Sequence, residues 1–566
     1  MKMKGARALI KCLNEQGVKV VFGYPGGAVI ELYDELLQAK DLIHILVRHE
    51  QAAVHAADAY GRVKGEVGVA LVTSGPGATN AVTGIASAYC DSIPMVVFTG
   101  QVPTKLIGND AFQEVDIVGI TRPVTKHNYL VKRPEDLVPT IREAFYLARS
   151  GRPGPVLVDL PKDVIGATIN FPETQPIKMR TYRPTYEPHS GQVEKACKMM
   201  LKAERPVLYI GGGVINANAS EALTELAKKL DIPVTMTLMG LGGFPGSDAL
   251  SLGMLGMHGT YFANMAVAHS DLLIAVGARF DDRVTGRIDA FAPQAKIIHI
   301  DIDPSSISKN VQVDVPIVAD CRRALTAMNI WFDKSRDFDQ KAVQEQHQVW
   351  QKRIKEWKVD HPLVYVEEEG VIKPQFVVRK LHELTGGDAI ITTEVGQNQM
   401  WAAQFYLFNR PRHFMTSGGL GVMGYGFPAA IGAQIAAPDK TVIDIAGDGS
   451  IQMNIQELAT AQQYKCPIKI AILNNKYLGM VRQWQELFYD KRYAHTAMDV
   501  APDFVKLAEA YGAVGLRATK PSEVEPVIKE ALKTKNTVIM DFVIAREEGV
   551  FPMVPAGKAT TEMLLV

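Results

Sequence analysis

The run Gly447–Ser450, which reads Gly-Asp-Gly-Ser, constrains this chain more than any other feature of its sequence. It follows an apolar stretch, Thr441–Ala446, that is typical of a buried strand, and a second such stretch, Ile468–Leu473, runs directly into Asn474 and Asn475. Parallel α/β sheets bind ligands at the carboxyl ends of their strands. Aspartate and amide oxygens suit Mg²⁺, which takes few protein ligands beside phosphate oxygens. The sequence therefore predicts a sheet edge that binds Mg²⁺ and a diphosphate.

The length and the hydrophobic pattern predict several α/β domains. At 566 residues the chain is too long for one core, and about three domains of ~150–200 residues are expected. Apolar strands alternate with helical stretches, so we predict an α/β fold of three doubly wound parallel-sheet domains. The predicted limits are 1–170, 191–331 and 371–566, with a proline-rich linker at 171–190 and a helical connector at 332–370. The predicted strands are Val18–Phe22, Ile43–Val47, Val67–Val72, Met95–Thr99, Pro155–Leu160, Val207–Ile210, Leu272–Val276, Ile297–Ile300, Ala389–Thr393, Thr441–Ala446 and Ile468–Leu473.

The charge balance argues against nucleic acid or a membrane surface as a partner, since the basic and acidic residues number 61 each. No apolar run reaches the ~18–20 residues of a membrane span. Neither a signal peptide nor a transit segment is apparent at the N-terminus, so a cytoplasmic protein that begins near residue 1 is expected. The cysteines are scattered and predicted to be reduced and buried, which makes a zinc site unexpected. They are Cys12, Cys90, Cys197, Cys321 and Cys466.

Three further positions stand at predicted strand ends. Glu50 follows the strand Ile43–Val47 and leads a helix of small residues, where it is either a functional carboxylate or a first-turn residue favoured by the helix dipole. The triplet Gly211–Gly213 lies between a strand and a helix, which suits close approach of an adenine nucleotide, although glycine turns of this kind are common. Asp301 ends another strand, where acidic residues bind ribose hydroxyls in dinucleotide folds.

Several runs, in order along nearly the whole chain, make it similar to one enzyme family. The Gly447–Ser450 run with Asn475 resembles the thiamin diphosphate (ThDP) motif of a wider superfamily. The more specific runs resemble the catalytic subunit of acetohydroxyacid synthase (acetolactate synthase), of the FAD-containing biosynthetic type. These runs are Gly23–Gly27, Thr73–Asn80, Asp110–Glu114, Gly256–Gly259, Arg279–Gly286 and Gly479–Trp484.

The resemblance implies a ThDP-binding fold with a pyrimidine domain, a central FAD domain and a diphosphate domain. It implies that pyruvate is decarboxylated on ThDP and that the remaining two-carbon unit condenses with a second pyruvate or with 2-ketobutyrate. The products would be 2-acetolactate and 2-aceto-2-hydroxybutyrate, at the first common step of branched-chain amino-acid biosynthesis (valine, isoleucine and leucine). It further implies a homo-dimer or tetramer with the active site between subunits, and it allows for a small regulatory subunit.

The family's residue roles carry over onto matching positions. Glu50 would activate the cofactor, Gly27 would offer a backbone N–H to the substrate oxygen, and Met423 would force the bent cofactor. Phe112, Gln113 and Lys162 would line the pocket, while Arg283 and Trp484 would select the acceptor ketoacid. For Arg283, an ion pair with Asp282 is an equally good reading of the sequence alone.

The cofactor sets follow from the same resemblance. Mg²⁺ would be held by Asp448, Asn475 and the backbone carbonyl of Tyr477. ThDP would contact Tyr24, Pro25, Glu50, Thr73, Pro76, Asn80, Gln113, Val395, Gly396, Gln397, Asn398, Gly421, Met423, Gly447, Asp448, Gly449, Ser450, Asn475, Tyr477, Leu478, Gly479 and Met480. FAD would contact Arg152, Gly211, Gly212, Gly213, Thr237, Leu238, Gly256, Met257, His258, Gly277, Arg279, Asp281, Arg283, Val284, Asp301, Ile302, Asp320 and Cys321. One departure is Asn398, where many relatives carry histidine.

Three alternatives remain beside this interpretation. A ThDP/FAD pyruvate oxidase or decarboxylase would share the fold, but the Arg279–Gly286 run and Trp484 speak against it. An NAD-type dehydrogenase would use the middle glycines and leave the Gly447–Asn475 spacing unexplained. A catalytically silent nucleotide-binding subunit would have no need of Glu50.

Overall fold

The computed structural model describes residues 1–173 and 175–566. The described chain contains three six-stranded sheets in which all neighbouring strands are parallel, together with one two-stranded antiparallel pair. This arrangement confirms the predicted α/β class. Residue 174, inside the predicted linker at 171–190, lies outside the described residues. None of the helices in the described part is both long and apolar enough to cross a membrane.

The first sheet has the strand order β3-β2-β4-β5-β7-β6, and the short pair β1–β8 stands apart from it. Its strands are β1 Lys2–Lys4, β2 Val20–Tyr24, β3 Ile43–Leu46, β4 Gly68–Val72, β5 Met95–Gln101, β6 His127–Leu130, β7 Pro155–Pro161 and β8 Thr168–Asn170. The helices are α1 Gly5–Glu15, α2 Ile30–Gln38, α3 Glu50–Lys64, α4 Pro76–Asn80, α5 Val82–Asp91, α6 Ile117–Thr121, α7 Leu137–Arg149 and α8 Lys162–Gly166. The edge strand β3 ends just before Glu50, so that residue opens a helix at the carboxyl end of the sheet.

The middle sheet has the order β11-β10-β9-β12-β13-β14. Its strands are β9 Pro206–Ile210, β10 Val234–Met236, β11 Ser251–Met254, β12 Leu272–Val276, β13 Lys296–Asp301 and β14 Val315–Val318. The helices are α9 Ser190–Met200, α10 Gly212–Asn216, α11 Ser220–Leu230, α12 Tyr261–His269, α13 Asp282–Thr285, α14 Cys321–Lys334 and α15 Gln340–Asp360. Helix α15 lies within the stretch 332–370 that was predicted as a helical connector. It packs Trp350, Ile354 and Trp357 into the core of this middle unit.

The third sheet has the order β16-β15-β17-β18-β20-β19. Its strands are β15 Ile390–Thr393, β16 Phe414–Met415, β17 Val442–Gly447, β18 Lys469–Asn474, β19 Val514–Ala518 and β20 Val538–Val543. The helices are α16 Pro374–Thr385, α17 Gln397–Phe405, α18 Gly426–Ala436, α19 Leu458–Gln463, α20 Gly479–Phe488, α21 Phe504–Ala510 and α22 Pro521–Lys533. Each predicted strand has a counterpart here or in the other two sheets. The strands that were not predicted are β1, β6, β8, β10, β11, β14, β16, β19 and β20, although the residues of β20 form an almost continuous buried run.

Helices α3 and α18 join the first and third units through a close contact. Both are built from small residues, and a Cβ atom added to Gly432 would lie 2.0 Å from the carbonyl oxygen of Ala56. The two backbones therefore touch at a distance that only glycine permits. Since α3 begins at Glu50, this contact fixes the helix that carries the predicted activating carboxylate against the unit that carries Asp448.

Candidate active site

Asp448 and Asn475 lie side by side at one sheet edge because the strands that precede them are paired. Strands β17 and β18 are neighbours, with Gly447 opposite Leu473. Asp448 follows β17 directly, and Asn475 follows β18 directly. The pairing of two parallel strands thus places both side chains at the carboxyl edge, where sheets of this kind bind ligands.

The Asp448 carboxylate has the character of a cation ligand. The residue is fully buried, and neither carboxylate oxygen has a hydrogen-bond partner among the described residues. Burial raises its pKa to about 6. A buried carboxylate without partners is costly unless a cation offsets its charge. Asn475 adds an amide oxygen, which accepts from the Tyr477 amide at 3.0 Å. This set of hard oxygen donors fits Mg²⁺.

Glycines allow the turn that carries Asp448 to pack closely against its neighbours. A Cβ at Gly449 would lie 2.9 Å from Leu478 Cδ2, and one at Gly479 would lie 2.1 Å from Gln397 Oε1. Ser450 donates its hydroxyl to the Gly447 carbonyl at 3.2 Å. Glycine backbone and a hydroxyl are the kinds of group that bind a diphosphate in such turns.

Asn398 has both amide hydrogens committed to the backbone. Its Nδ2 donates to the carbonyls of Glu394 at 3.0 Å and Ile445 at 2.8 Å. The side chain thereby ties the start of α17 to β17, and its oxygen lies 3.4 Å from the position of a Cβ on Gly447. A direct bond from Asn398 to a phosphate stays a prediction, and here the side chain stabilises the turn.

The segment around Met423 is held by a buried carboxylate that the sequence analysis missed. Glu394 accepts from the amides of Gly424 at 2.6 Å and Phe427 at 3.1 Å. Burial raises the pKa of Glu394 above its usual range. Gly421 and Gly424 on either side have φ values of 74° and 89°, so the turn needs glycine at both positions. Like Glu50, Glu394 follows a buried strand, and this position was the sequence signal that could have identified it.

A second buried network fastens the same segment to the first unit. Arg62 on α3 lies 2.6 Å from Asp58 and 3.2 Å from Asp91, and it donates to the Thr416 carbonyl at 3.0 Å. Asp91 accepts from the amides of Gly418 and Gly419 at 3.1 and 2.7 Å. The helix that begins at Glu50 therefore also helps to position the chain leading to Met423.

A cavity of about 740 Å³ lies beside this segment. All the predicted FAD residues except Gly256 line it, and so do Val395, Gly396, Gly421, Met423 and Met480 of the predicted ThDP set. A Cβ at Gly211 would lie 2.3 Å from the Gly277 carbonyl oxygen, so two strand ends approach closely at its floor. Asp301, whose pKa burial raises to about 6, closes the far end of β13. The volume and the glycine floor fit a dinucleotide such as FAD.

Tyr186, in the predicted linker, also lines this cavity and was missed from the sequence. Its hydroxyl accepts from the Gly151 amide at 2.9 Å, and its carbonyl accepts from Asp320 at 3.0 Å. The proline-rich linker is thereby fixed to both flanking units. The tyrosines among its prolines were a signal that it packs against the protein.

Arg283 and Trp484 both line the cavity, from opposite units of the chain. The Arg283 side chain is 58% exposed, and its Nε lies 3.8 Å from Asp282 Oδ2. An exposed pair at that distance contributes little stability, which leaves the guanidinium free to bind a carboxylate. Trp484 is half-buried, and its indole nitrogen has no partner among the described residues.

The predicted site residues of the first unit form a group of their own. Asn80 donates to Glu50 at 2.9 Å, and a Cβ at Gly75 would lie 2.8 Å from Gln113 Cα. Phe112 is 87% exposed, and Gly27 and Lys162 are exposed as well. Over residues 1–173 and 175–566, no hydrogen bond joins this group to the residues around Asp448.

Comparison with known proteins connects all three units to ThDP enzymes. Residues 3–120 match the N-terminal TPP-binding domain of thiamine pyrophosphate enzymes, residues 193–328 match their central domain, and residues 394–542 match their C-terminal TPP-binding domain. The acetolactate synthase large subunit of Haemophilus influenzae is 50% identical over 567 residues, which cover 100% of this chain and 98% of that protein. The chain belongs to the family of acetolactate synthase large subunits.

Further relatives place the acetolactate synthase similarity over the same span. The acetolactate synthase isozyme 3 large subunit of Escherichia coli is 50% identical over 568 residues, covering 100% of this chain and 98% of that protein. The acetolactate synthase large subunit of Corynebacterium glutamicum is 51% identical over 568 residues, covering 99% and 90%. These matches confirm the family resemblance and the predicted ThDP fold.

Proposed function

We propose that this chain is an acetolactate synthase, which decarboxylates pyruvate and joins the remaining two-carbon unit to a second pyruvate or to 2-ketobutyrate. The observation that supports this most is the single cavity in which the predicted FAD residues, Met423, Arg283 and Trp484 meet. A decarboxylase needs no second pocket for an acceptor. Here an exposed guanidinium and a large apolar wall lie together beside the cofactor segment.

We assign three cofactors: ThDP, Mg²⁺ and FAD. Asp448, Asn475 and the Tyr477 carbonyl would hold Mg²⁺, and Gln397, Gly449 and Ser450 would bind the diphosphate. Bound ThDP supplies an electron sink for the charge left when pyruvate loses CO₂. The FAD assignment rests on the cavity floor at Gly211 and Gly277 and on Asp301, without any redox step being required of the flavin.

Within this assignment the residues act by position and charge. Glu50 would exchange a proton with the pyrimidine ring of the cofactor, and the Gly27 amide would stabilise the oxyanion of the substrate. Arg283 would bind the carboxylate of the acceptor through its planar fork of donors. Trp484 would contact the additional methyl group of 2-ketobutyrate, which is worth only ~1–3 kcal/mol, so the preference for that acceptor is limited.

We further propose that two copies of the chain form each active site. Glu50 and Asp448 must face one cofactor, yet their groups share no hydrogen bond in the described chain, and Phe112 is 87% exposed. A second copy would cover that face. The relatives are named large subunits, so we also propose a smaller partner subunit. The five unpaired cysteines suit a reducing cytoplasm.

The test is product analysis of the purified chain with pyruvate, omitting ThDP, Mg²⁺ and FAD in turn. Acetolactate that disappears without ThDP or Mg²⁺ and declines without FAD is the expected result. Adding 2-ketobutyrate should give 2-aceto-2-hydroxybutyrate as well. Acetaldehyde or acetate as the main product would contradict the proposal and favour a decarboxylase or a pyruvate oxidase on the same fold.

A further inference from the structure

Glu457 of the third unit reaches across to the loop that precedes Glu50. It ends a 3₁₀ turn, Ile455–Glu457, immediately before α19, and it is fully buried. Its Oε1 and Oε2 lie 2.9 and 3.1 Å from the Arg48 amide nitrogen, which donates to both. Thr460 donates its hydroxyl to Oε2 at 2.6 Å, which fixes the rotamer of the carboxylate.

The receiving loop connects β3, an edge strand, to α3, which begins at Glu50. Its own side chains restrain it in part, since the Arg48 guanidinium donates to the Leu46 carbonyl at 3.0 Å and the Gln51 amide donates to His49 Nδ1 at 3.1 Å. Among the described residues, Glu457 is the acceptor for the Arg48 amide. The packing of α3 on α18 fixes the helix as a whole, and Glu457 adds a bond from the third unit to the backbone two residues before Glu50.

The chemistry of Glu457 is unusual for a residue that only packs two units together. Burial raises its pKa to about 7, and an apolar side chain in its place would leave the Arg48 amide and the Thr460 hydroxyl without this acceptor. Tyr464, seven residues later, makes a comparable contact without charge. Its hydroxyl accepts from the Leu46 amide at 2.7 Å and donates to the His44 carbonyl at 3.3 Å. The Tyr464 hydroxyl thus already joins the two units without a charge. The Glu457 carboxylate, in contrast, binds the loop next to Glu50.

We propose that Glu457 is a positioning residue for Glu50: its carboxylate accepts from the Arg48 amide, two residues before Glu50, and thereby helps to set the position of the activating carboxylate. This inference rests on the role given to Glu50 in the proposed function. A displacement of about 1 Å in a reacting group can lower a rate by about 100-fold, so a loop anchor can affect turnover without touching the substrate.

The test compares Glu457→Gln, which replaces one of the two acceptor oxygens of the carboxylate, with Tyr464→Phe in the complete enzyme, which removes the hydroxyl bonds to Leu46 and His44 at the same junction. We expect kcat to fall about ten-fold in Glu457→Gln, with the KM for pyruvate and the Kd for ThDP within about two-fold of wild type. Tyr464→Phe should keep kcat within two-fold. Deuterium exchange at C2 of bound ThDP should slow in Glu457→Gln alone.

A second readout needs no turnover. Amide hydrogen exchange of a peptide covering residues 46–52, measured without cofactors, should accelerate at least several-fold in Glu457→Gln and remain near wild type at Arg48 and His49 in Tyr464→Phe. If Glu457→Gln does not fold, Thr460→Val, which frees the carboxylate rotamer, should produce the same changes at about two- to three-fold.

Two outcomes separate this inference from the proposed function. Glu50→Gln with normal turnover would refute the role of Glu50 and remove the basis of both. Glu50→Gln without turnover, combined with equal kcat values in Glu457→Gln and Tyr464→Phe, would overturn the inference alone. Equal exchange rates at Arg48 in those two variants would overturn it as well.

Discussion

Gln397 donates its side-chain amide to Gln483 Oε1 at 2.9 Å, which joins the first residue of α17 to helix α20. Gln397 also donates to the Glu548 carbonyl at 2.8 Å, and Gln483 exchanges bonds with the backbone of Val550 at 2.9 and 3.1 Å. Because Trp484 follows Gln483, the predicted diphosphate end and the acceptor wall belong to one hydrogen-bonded unit. We therefore expect a substitution at the predicted diphosphate end to alter the acceptor wall, and the reverse.

Gly479→Ala should disturb this unit at its centre. The new methyl group would lie 2.1 Å from Gln397 Oε1, and that amide cannot rotate away without losing its bonds to Gln483 and Glu548. We expect the affinity for ThDP to fall at least about ten-fold, with ~1–3 kcal/mol lost in stability. Isothermal titration calorimetry and thermal unfolding measure the two effects. Gly191→Ala, in the first turn of α9, where the nearest atom to the new methyl group would be on the His189 side chain at 3.3 Å, is the control for a glycine at a helix start.

Asp448→Asn should weaken cofactor binding and raise the stability of the cofactor-free protein. Both carboxylate oxygens are buried without partners among the described residues, so the neutral amide should raise the stability of the cofactor-free chain by roughly 1 kcal/mol. Mg²⁺-dependent ThDP binding should fall by more than about ten-fold because the charged ligand is lost. Asp490→Asn, at an exposed side chain, should change neither quantity. Unchanged Mg²⁺ dependence in Asp448→Asn would exclude Asp448 as a ligand.

Trp484→Leu should alter acceptor choice and not the first half of the reaction. The smaller side chain removes apolar contact with the additional methyl group of 2-ketobutyrate, which is worth ~1–3 kcal/mol. We expect pyruvate self-condensation to continue and the preference for 2-ketobutyrate to fall at least about five-fold. A competition assay with both ketoacids gives the product ratio directly. An unchanged ratio would show that Trp484 is not the acceptor wall.

Asp159 should make the folded state less stable as the pH rises from about 4 to about 7. It is buried on β7, where burial raises its pKa to about 7 although Thr99 donates to it at 2.7 Å and Gln101 at 3.1 Å. The folded chain therefore keeps this proton above the ordinary aspartate pKa, at which the unfolded chain releases it. Its contribution to stability is complete below about pH 4 and is lost as the pH rises to about 7, with a slope of up to ~1.4 kcal/mol per pH unit.

Asp159→Asn should remove that contribution. Chemical unfolding at several pH values between 4 and 8, compared with wild type, isolates it from the other titrating groups. The difference in unfolding free energy should change most between pH 4 and 7 and be constant above. A difference that does not vary with pH would show that Asp159 is ionised in the native chain throughout.

Much of the site could be predicted from the sequence because its signals are local. The Gly447–Ser450 turn and Asn475 follow strands whose apolar runs are short and continuous, so strand ends could be located to within about two residues. The FAD residues were predicted from runs such as Arg279–Gly286, and all of them except Gly256 line the cavity. Their roles, and the domain limits at 1–170, 191–331 and 371–566, stay predictions.

Other parts could not be read from the sequence because they depend on contacts between distant segments. Glu457 and the Arg62 network are polar residues in stretches with no distinctive motif, and their contacts appear only when the third unit packs against the first. For Glu394 and Tyr186 a local signal existed, but their partners are set by the fold, since Glu394 accepts from the Gly424 amide and Tyr186 lines the cavity.

The predicted strands, the glycine turns and the chemical types at their ends could be read from the sequence, because hydrophobic period, backbone freedom and ligand chemistry are local properties. The neighbouring positions of β17 and β18, the burial of Asp448 without a hydrogen-bond partner among the described residues, and the bond from Arg48 to Glu457 come from the fold. Those facts depend on which segments, often hundreds of residues apart, share one desolvated space.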